Sequence, residues 1–387
     1  MCSSNMTIQI SHFVGLSGVG GVQRNFVEYI NSQAASEGVL KHKVYTLGKV
    51  DSQYKVLFKI YDISELKNLI SLILDICSKK KIVHFYNNLT SLKVLIFLFF
   101  FPVRKLILHE RGAIWNFPSS RSILLRFVVW KSFLILANSN ATKIMLEKKF
   151  GIASKKIRVL HNGINTEIKY TKIKQERKIQ PFLVGFIGRL DTPKGVHVLI
   201  DAMHMLDNNN IELIIAGNGA LENILKKQAG GVENISFVGR VIDPYSFLCK
   251  LDLLVVPSIR EPLGNVCLEA GLCKIAVLAS NVDGIPEIIN NKISGELITP
   301  TQELTFKNVN NSVPLPEYVV NPSMKKLSHP KQIDPKILAN KIFELSKSPD
   351  LLQKYGERLY NNVICNFSME CYANKLHKIY YEVFDSV

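Results

Sequence analysis

Short apolar runs alternate along the chain with longer segments in which apolar side chains recur every three or four residues. The runs at 7–13, 42–46, 82–85, 104–109, 133–138 and 158–161 read as strands of a first half. Those at 182–187, 212–216, 236–238, 253–256 and 275–279 read as strands of a second. Val22, Phe26, Tyr29 and Ile30 share one face of a helix after the first run, and helices are expected at 334–348 and 351–367. A final one over 369–384 carries an apolar stripe of Tyr372, Leu376, Ile379 and Val383. Strands separated by helices in this order predict parallel sheets with helical crossovers, an α/β fold in two halves.

Three segments break the pattern. The polar, lysine-rich stretch 166–180 reads as an interdomain linker, with an N-terminal domain over 1–170 and a C-terminal one over 171–368. Residues 299–335 hold Pro314, Pro316, Pro322 and Pro330 without periodicity, and read as an insertion near 300–334, either a lid or disordered. Val94 to Val103 form the longest apolar run, flanked by Lys93 and Arg104. It falls short of the ~20 residues that cross a bilayer. A buried core helix is the favoured reading, and a face dipping into a membrane interface is the other.

At 387 residues the chain suits two domains, and a hydrophobic content of 47% supplies two cores and excludes a disordered chain. Its seven cysteines lack a CxxC pair, so reduced thiols in a cytoplasmic protein are expected, with no zinc site. Residues 1–11 show no secretory pattern. Charge changes the picture more. Residues 1–170 hold 24 Lys/Arg against 9 Asp/Glu, whereas 171–387 hold 24 against 23, so nearly all of the +16 lies in the first half. A basic half suits nucleic acid, an acidic polymer or an anionic membrane. Nucleic acid is disfavoured, because no aromatics interleave with the basic residues and no recognition helix is evident. An anionic membrane surface is the expected partner, which places the protein on the inner face of the cell membrane as a peripheral protein.

The densest chemistry lies in Pro257-Ser258-Ile259-Arg260-Glu261-Pro262-Leu263-Gly264-Asn265-Val266-Cys267-Leu268-Glu269. Glu261 sits in a loop after an apolar strand, and Glu269 about two turns into the helix that follows. Between them Gly264-Asn265-Val266 forms a helix entrance, where backbone N–H groups and the helix dipole suit an anion. Spacing alone is equally compatible with an ordinary strand–loop–helix unit. Gly188-Arg189-Leu190-Asp191-Thr192-Pro193-Lys194-Gly195 also follows a strand and opens a helix, and Arg189 and Lys194 offer two cations for a diphosphate. Near the N-terminus, Gly15 to Gly21 is a glycine-rich strand-to-helix turn that fits neither a dinucleotide fingerprint nor a P-loop. His109 ends a strand before Glu110-Arg111-Gly112, and His84 is a second histidine at a similar place. Asn138-Ser139 reads as a helix cap. No Asp-x-Asp occurs.

In order and spacing these motifs resemble glycosyltransferase family four, the retaining nucleotide-sugar glycosyltransferases of the GT-B fold. The resemblance is strong over 182–300 and looser before. It implies two Rossmann-like domains facing across a cleft, the last helix (about 369–387) crossing back to the N-terminal one. It implies donor contacts at Gly20, Gly21, Arg189, Lys194, Arg240, Val241, Glu261, Leu263, Gly264, Asn265, Val266 and Glu269. By resemblance Glu269 takes the ribose, Glu261 the donor sugar, Arg189 and Lys194 the leaving diphosphate, and His109 the reacting sugar. Asp283-Gly284-Ile285-Pro286-Glu287 contains a Gly-x-x-Glu match to an element that supports the donor pocket. The long 300–334 connection departs from the family. The implied reaction is metal-independent, needs no cofactor, and moves a hexose from a UDP-sugar in preference to a GDP-sugar. The acceptor is lipid-linked or an oligosaccharide, in surface polysaccharide or lipopolysaccharide assembly. An acceptor-free nucleotide-sugar epimerase of the same fold is the alternative.

Overall fold

The structure, a computed structural model, describes residues 7–18, 20–36, 39–87, 89, 91–167, 181–206, 210–305, 309 and 311–386. Most of the expected linker, 168–180, lies outside them. The chain divides into two compact units: Met1–Asn165 with Phe367–Val387, and Thr166–Asn366.

The first unit is built on seven strands, β1 (Ile8–Phe13), β2 (Leu40–Thr46), β3 (Ile60–Asp62), β4 (Lys81–Tyr86), β5 (Lys105–Glu110), β6 (Leu134–Ala137) and β7 (Ile157–Val159). All pair in parallel, in the order β3-β2-β1-β4-β5-β6-β7. The second unit repeats the plan with β8 (Phe182–Ile187), β9 (Ile211–Ala216), β10 (Ile235–Gly239), β11 (Leu253–Val256), β12 (Ala276–Ser280) and β13 (Glu296–Ile298), ordered β10-β9-β8-β11-β12-β13. A parallel sheet covered on both faces buries its central strands, and β11 and β12 are buried at every position. The three-residue strands β3 and β13 are not among the runs read from the sequence.

Both sheets reverse direction beside their first strand: from β8 the chain steps outward to β9 and β10, then returns to β11 on the other side. Such a switch leaves a crevice at the strand C-termini, where ligands of open α/β sheets bind. The last helix, Met369–Asp385, is capped by Ser368, whose Oγ accepts from the Cys371 amide. It returns to the first unit, where Tyr372, Leu376, Ile379 and Val383 are buried against Ile10, Phe26, Tyr29 and Ile107. Burying each such side chain contributes about 1.5–3 kcal/mol.

Two expectations are corrected. The insertion is not structureless: β14 (Val319–Asn321) and β15 (Lys326–Ser328) form an antiparallel hairpin, and Val319 and Val320 are buried. The apolar run is not wholly core. It forms a helix, Leu92–Phe100, that buries Leu98 while Leu92, Ile96, Phe99 and Phe100 are exposed.

Candidate functional site

In the second unit the loops after β8, β9, β11 and β12 meet at the switch point. The β8 loop ends in a short 3-10 turn, Thr192–Lys194, and Gly195 follows with φ +66°. A Cβ on Gly195 would lie 2.0 Å from the Pro257 carbonyl oxygen, so only glycine lets the two loops touch. The Ile259 and Arg260 amides donate to the Pro193 carbonyl at 2.9 and 3.2 Å, which closes the contact.

That contact brings Lys194 to Glu261. Lys194 Nζ donates to Glu261 Oε2 at 2.5 Å, and Ser258 Oγ lies 3.4 Å from the same oxygen. The two residues are 67 positions apart in sequence, and their side chains are only 28% and 10% exposed. Gly264, with φ +99°, then turns the chain into the helix Asn265–Leu272. Asn265 and Glu269 stand four residues apart on one half-buried face of that helix. Beneath them, burial and then the Glu261 carboxylate push the Cys267 thiol upward; Glu269 adds to the rise and Lys194 opposes it. One buried thiol therefore senses the cation and both glutamates.

Arg189 is placed differently. Its side chain is 66% exposed, and Nε reaches Asp191 at 3.2 Å. Arg240 is also exposed and Val241 half-buried; they follow Gly239, which has φ +67° at the end of the edge strand β10. Leu263 is buried and Val266 half-buried.

One part of this site had no counterpart in the sequence reading, and a second was named there only as the start of a motif. Gly217-Asn218-Gly219 after β9 lies against the β8 loop: Leu190 N donates to the Asn218 carbonyl at 2.9 Å, and a Cβ on Gly219 would meet Leu190 O at 2.5 Å. Two glycines around an Asn are a readable turn signal. The second is Asp283, buried at φ +47°, whose carboxylate accepts from the Glu261 amide at 2.9 Å and the Val320 amide at 2.7 Å. It ties the inserted hairpin to the backbone of the paired glutamate. Ser312, from the same insertion, accepts from the Thr192 amide at 3.2 Å. No local pattern could have announced either contact.

In the first unit Gly20 precedes the helix Gly21–Asn31, and its amide donates to the Tyr54 hydroxyl at 3.2 Å. His109 is the penultimate residue of β5 and only 1% exposed, stacked on His84 with ring centroids 5.3 Å apart. Burial, then the charges of Arg111 and His84, push His109 well below the usual histidine range, so its ring is neutral. His84 is equally buried, and its Nδ1 pairs with the Tyr380 hydroxyl of the last helix at 2.7 Å. Arg111 is the larger surprise. It is buried beside His109, donating to Asn25 Oδ1 at 2.6 Å and the Tyr372 hydroxyl at 2.8 Å. Ser139 accepts from the Thr142 amide at 2.9 Å, the cap its position suggested.

Two Rossmann-like parallel sheets, one bearing a cation–carboxylate cluster at its strand C-termini, define an α/β protein of the GT-B class. Residues 169–313 match the family Glycosyl transferases group 1, and residues 60–168 match Glycosyltransferase Family 4. An uncharacterized glycosyltransferase of Methanocaldococcus jannaschii is 32% identical over 187 residues, 44% of this chain and 48% of that protein. A Campylobacter jejuni enzyme named as an N-acetylgalactosamine-N,N'-diacetylbacillosaminyl-diphospho-undecaprenol 4-alpha-N-acetylgalactosaminyltransferase is 28% identical over 193 residues, 49% of this chain and 53% of that one. The chain thus spans about half the length of these curated relatives. Among solved structures, Anabaena HepE in complex with UDP-glucose superimposes with a TM-score of 0.72 at 18% identity, covering 97% of this chain and all of that one.

Proposed function

We propose that this protein moves a sugar from a nucleoside diphosphate sugar, a UDP-sugar in preference to a GDP-sugar, to a lipid-linked or saccharide acceptor in surface polysaccharide or lipopolysaccharide assembly. The observation that carries this reading is the Lys194–Glu261 pair at the mouth of the switch-point crevice. Glu261 holds Lys194 where a departing diphosphate needs a cation, and the helix entrance at Gly264 and Asn265 adds its dipole. Stabilising charge that develops on the leaving group is usually the largest catalytic contribution. Arg189, exposed in the free protein, swings onto the same diphosphate. Glu269 takes the ribose hydroxyls and Glu261 the sugar, so the carboxylate that positions Lys194 also reads the donor. His109, kept neutral by burial and Arg111, serves the reacting sugar as a hydrogen-bonding group. Transfer proceeds with retention and without a metal. The complexed neighbour with UDP-glucose supports the donor class, and the relative named for a diphospho-undecaprenol substrate supports the acceptor class.

Calorimetry with a panel of UDP- and GDP-sugars tests the donor. Tight binding of a UDP-sugar that is lost in Lys194→Ala supports the reading, and binding of neither class sinks it. Incubating the donor alone separates transfer from epimerisation, because only an epimerase converts it without an acceptor.

A further inference from the structure

The helix Leu92–Phe100 and the helix Ser122–Lys131 of the first unit are joined side by side. Phe99 stacks on Phe127 with centroids 4.6 Å apart, and Lys131 Nζ donates to the carbonyls of Leu98, Phe99 and Phe101 at 3.0, 2.9 and 2.7 Å. Each helix buries one apolar face: Leu98 in the first, Leu125, Val128 and Val129 in the second. Each also has a second apolar face. Leu92, Ile96, Phe99 and Phe100 recur at helical spacing along the first, and Ile123, Phe127 and Trp130 along the second. Phe100, Ile123 and Trp130 are 74%, 80% and 71% exposed. A helix that is apolar on the side facing solvent needs a partner there.

The surrounding charge selects the partner. Between residues 76 and 146 there are eleven Lys/Arg and one carboxylate, Glu110, which is fully buried in β5. Lys93, Arg104 and Arg126 are exposed on or beside the two helices. Aromatic and aliphatic side chains ringed by cations match the headgroup region of an anionic bilayer, where rings sit at the interface and long basic side chains reach the phosphates. We propose that this two-helix face docks on an anionic lipid surface, with Phe100, Ile123 and Trp130 inserted and Lys93, Arg104 and Arg126 on the headgroups. No helix among the described residues is long and apolar enough to cross a membrane, so the attachment is peripheral. The assignment rests on this surface alone, and its test requires no transferase activity.

The chain contains two tryptophans, Trp115 fully buried and Trp130 exposed, which makes Trp130 a built-in reporter. The full chain is mixed with vesicles of phosphatidylcholine alone or with phosphatidylglycerol, with and without brominated acyl chains. The expected result is flotation with the anionic vesicles, bromolipid quenching of tryptophan emission that disappears in Trp130→Phe, and at least tenfold weaker binding for Phe100→Ser/Trp130→Ser. Lys93→Glu/Arg104→Glu, on exposed positions that leave the core intact, should also weaken binding and lower its salt sensitivity. Equal binding to neutral vesicles, no quenching, or no effect of the apolar pair would overturn the proposal. So would a dimer in solution that Phe100→Ser/Trp130→Ser dissociates, which would assign the face to a second copy of this chain.

Discussion

Lys194 and Glu261, 67 residues apart, meet at 2.5 Å because a glycine at 195 lets one loop rest on the backbone of the other. Neither charge stands alone in the folded protein. The cation proposed to meet the diphosphate is already oriented by the carboxylate proposed to read the sugar.

A double-mutant cycle tests that coupling. Lys194→Met should lower turnover with the preferred UDP-sugar by ~10²–10³-fold, the loss typical of removing one charge-stabilising donor. Glu261→Gln should do comparable damage, and the double variant should be far less impaired than the product of the two, because the groups act as a unit. Strict additivity would mean that the contact is incidental to catalysis.

Asp283 links Glu261 to the inserted hairpin through two backbone amides. Asp283→Ala leaves both amides without this acceptor in a buried place, at a cost of about 1–3 kcal/mol for each group left unsatisfied. It also puts a residue that resists positive φ at +47°. The expected outcome is a lower melting temperature together with a raised KM for the donor. A variant that melts earlier with donor KM unchanged would confine Asp283 to folding.

Gly195→Ala should be more disruptive than its size suggests. The left-handed backbone alone costs about 1–2 kcal/mol. The added Cβ also falls 2.0 Å from the Pro257 oxygen, so the loops must part. Urea unfolding should show the loss, and donor binding should weaken because Lys194 and Glu261 separate. Retention of both wild-type values would contradict the glycine contact.

Acid should loosen the first unit through its buried histidines. His12, His84 and His109 are pushed well below the histidine range, and His42 is lowered to about 4, in every case chiefly by burial. In the unfolded chain these rings protonate near 6.5, so below that pH the unfolded state binds more protons than the folded one. Stability is therefore full above about 6.5 and falls as the pH drops toward 4, by up to about 1.4 kcal/mol per pH unit for each histidine. Melting curves between pH 7.5 and 4.5 should show this slope, and His42→Gln, which removes one titrating ring, should flatten it. A flat profile would show that the cluster is solvated.

The alternation of apolar strands and amphipathic helices was enough to determine two parallel α/β halves, because strands covered on both faces are buried and predominantly apolar. The stripe on the last helix likewise identified a surface to be buried. Glycines and charges at strand ends marked the switch-point loops, although their spacing equally suits an ordinary strand–loop–helix unit. Tertiary structure decided who touches whom. The Lys194–Glu261 contact, the Asp283 clamp on Val320 and the Arg111–Tyr372 bond join residues 67, 37 and 261 positions apart, and no local pattern encodes such distances. It decided exposure too. An apolar helix reads the same whether it faces a core or solvent, and only packing showed that 92–100 buries Leu98 and leaves Phe100 exposed.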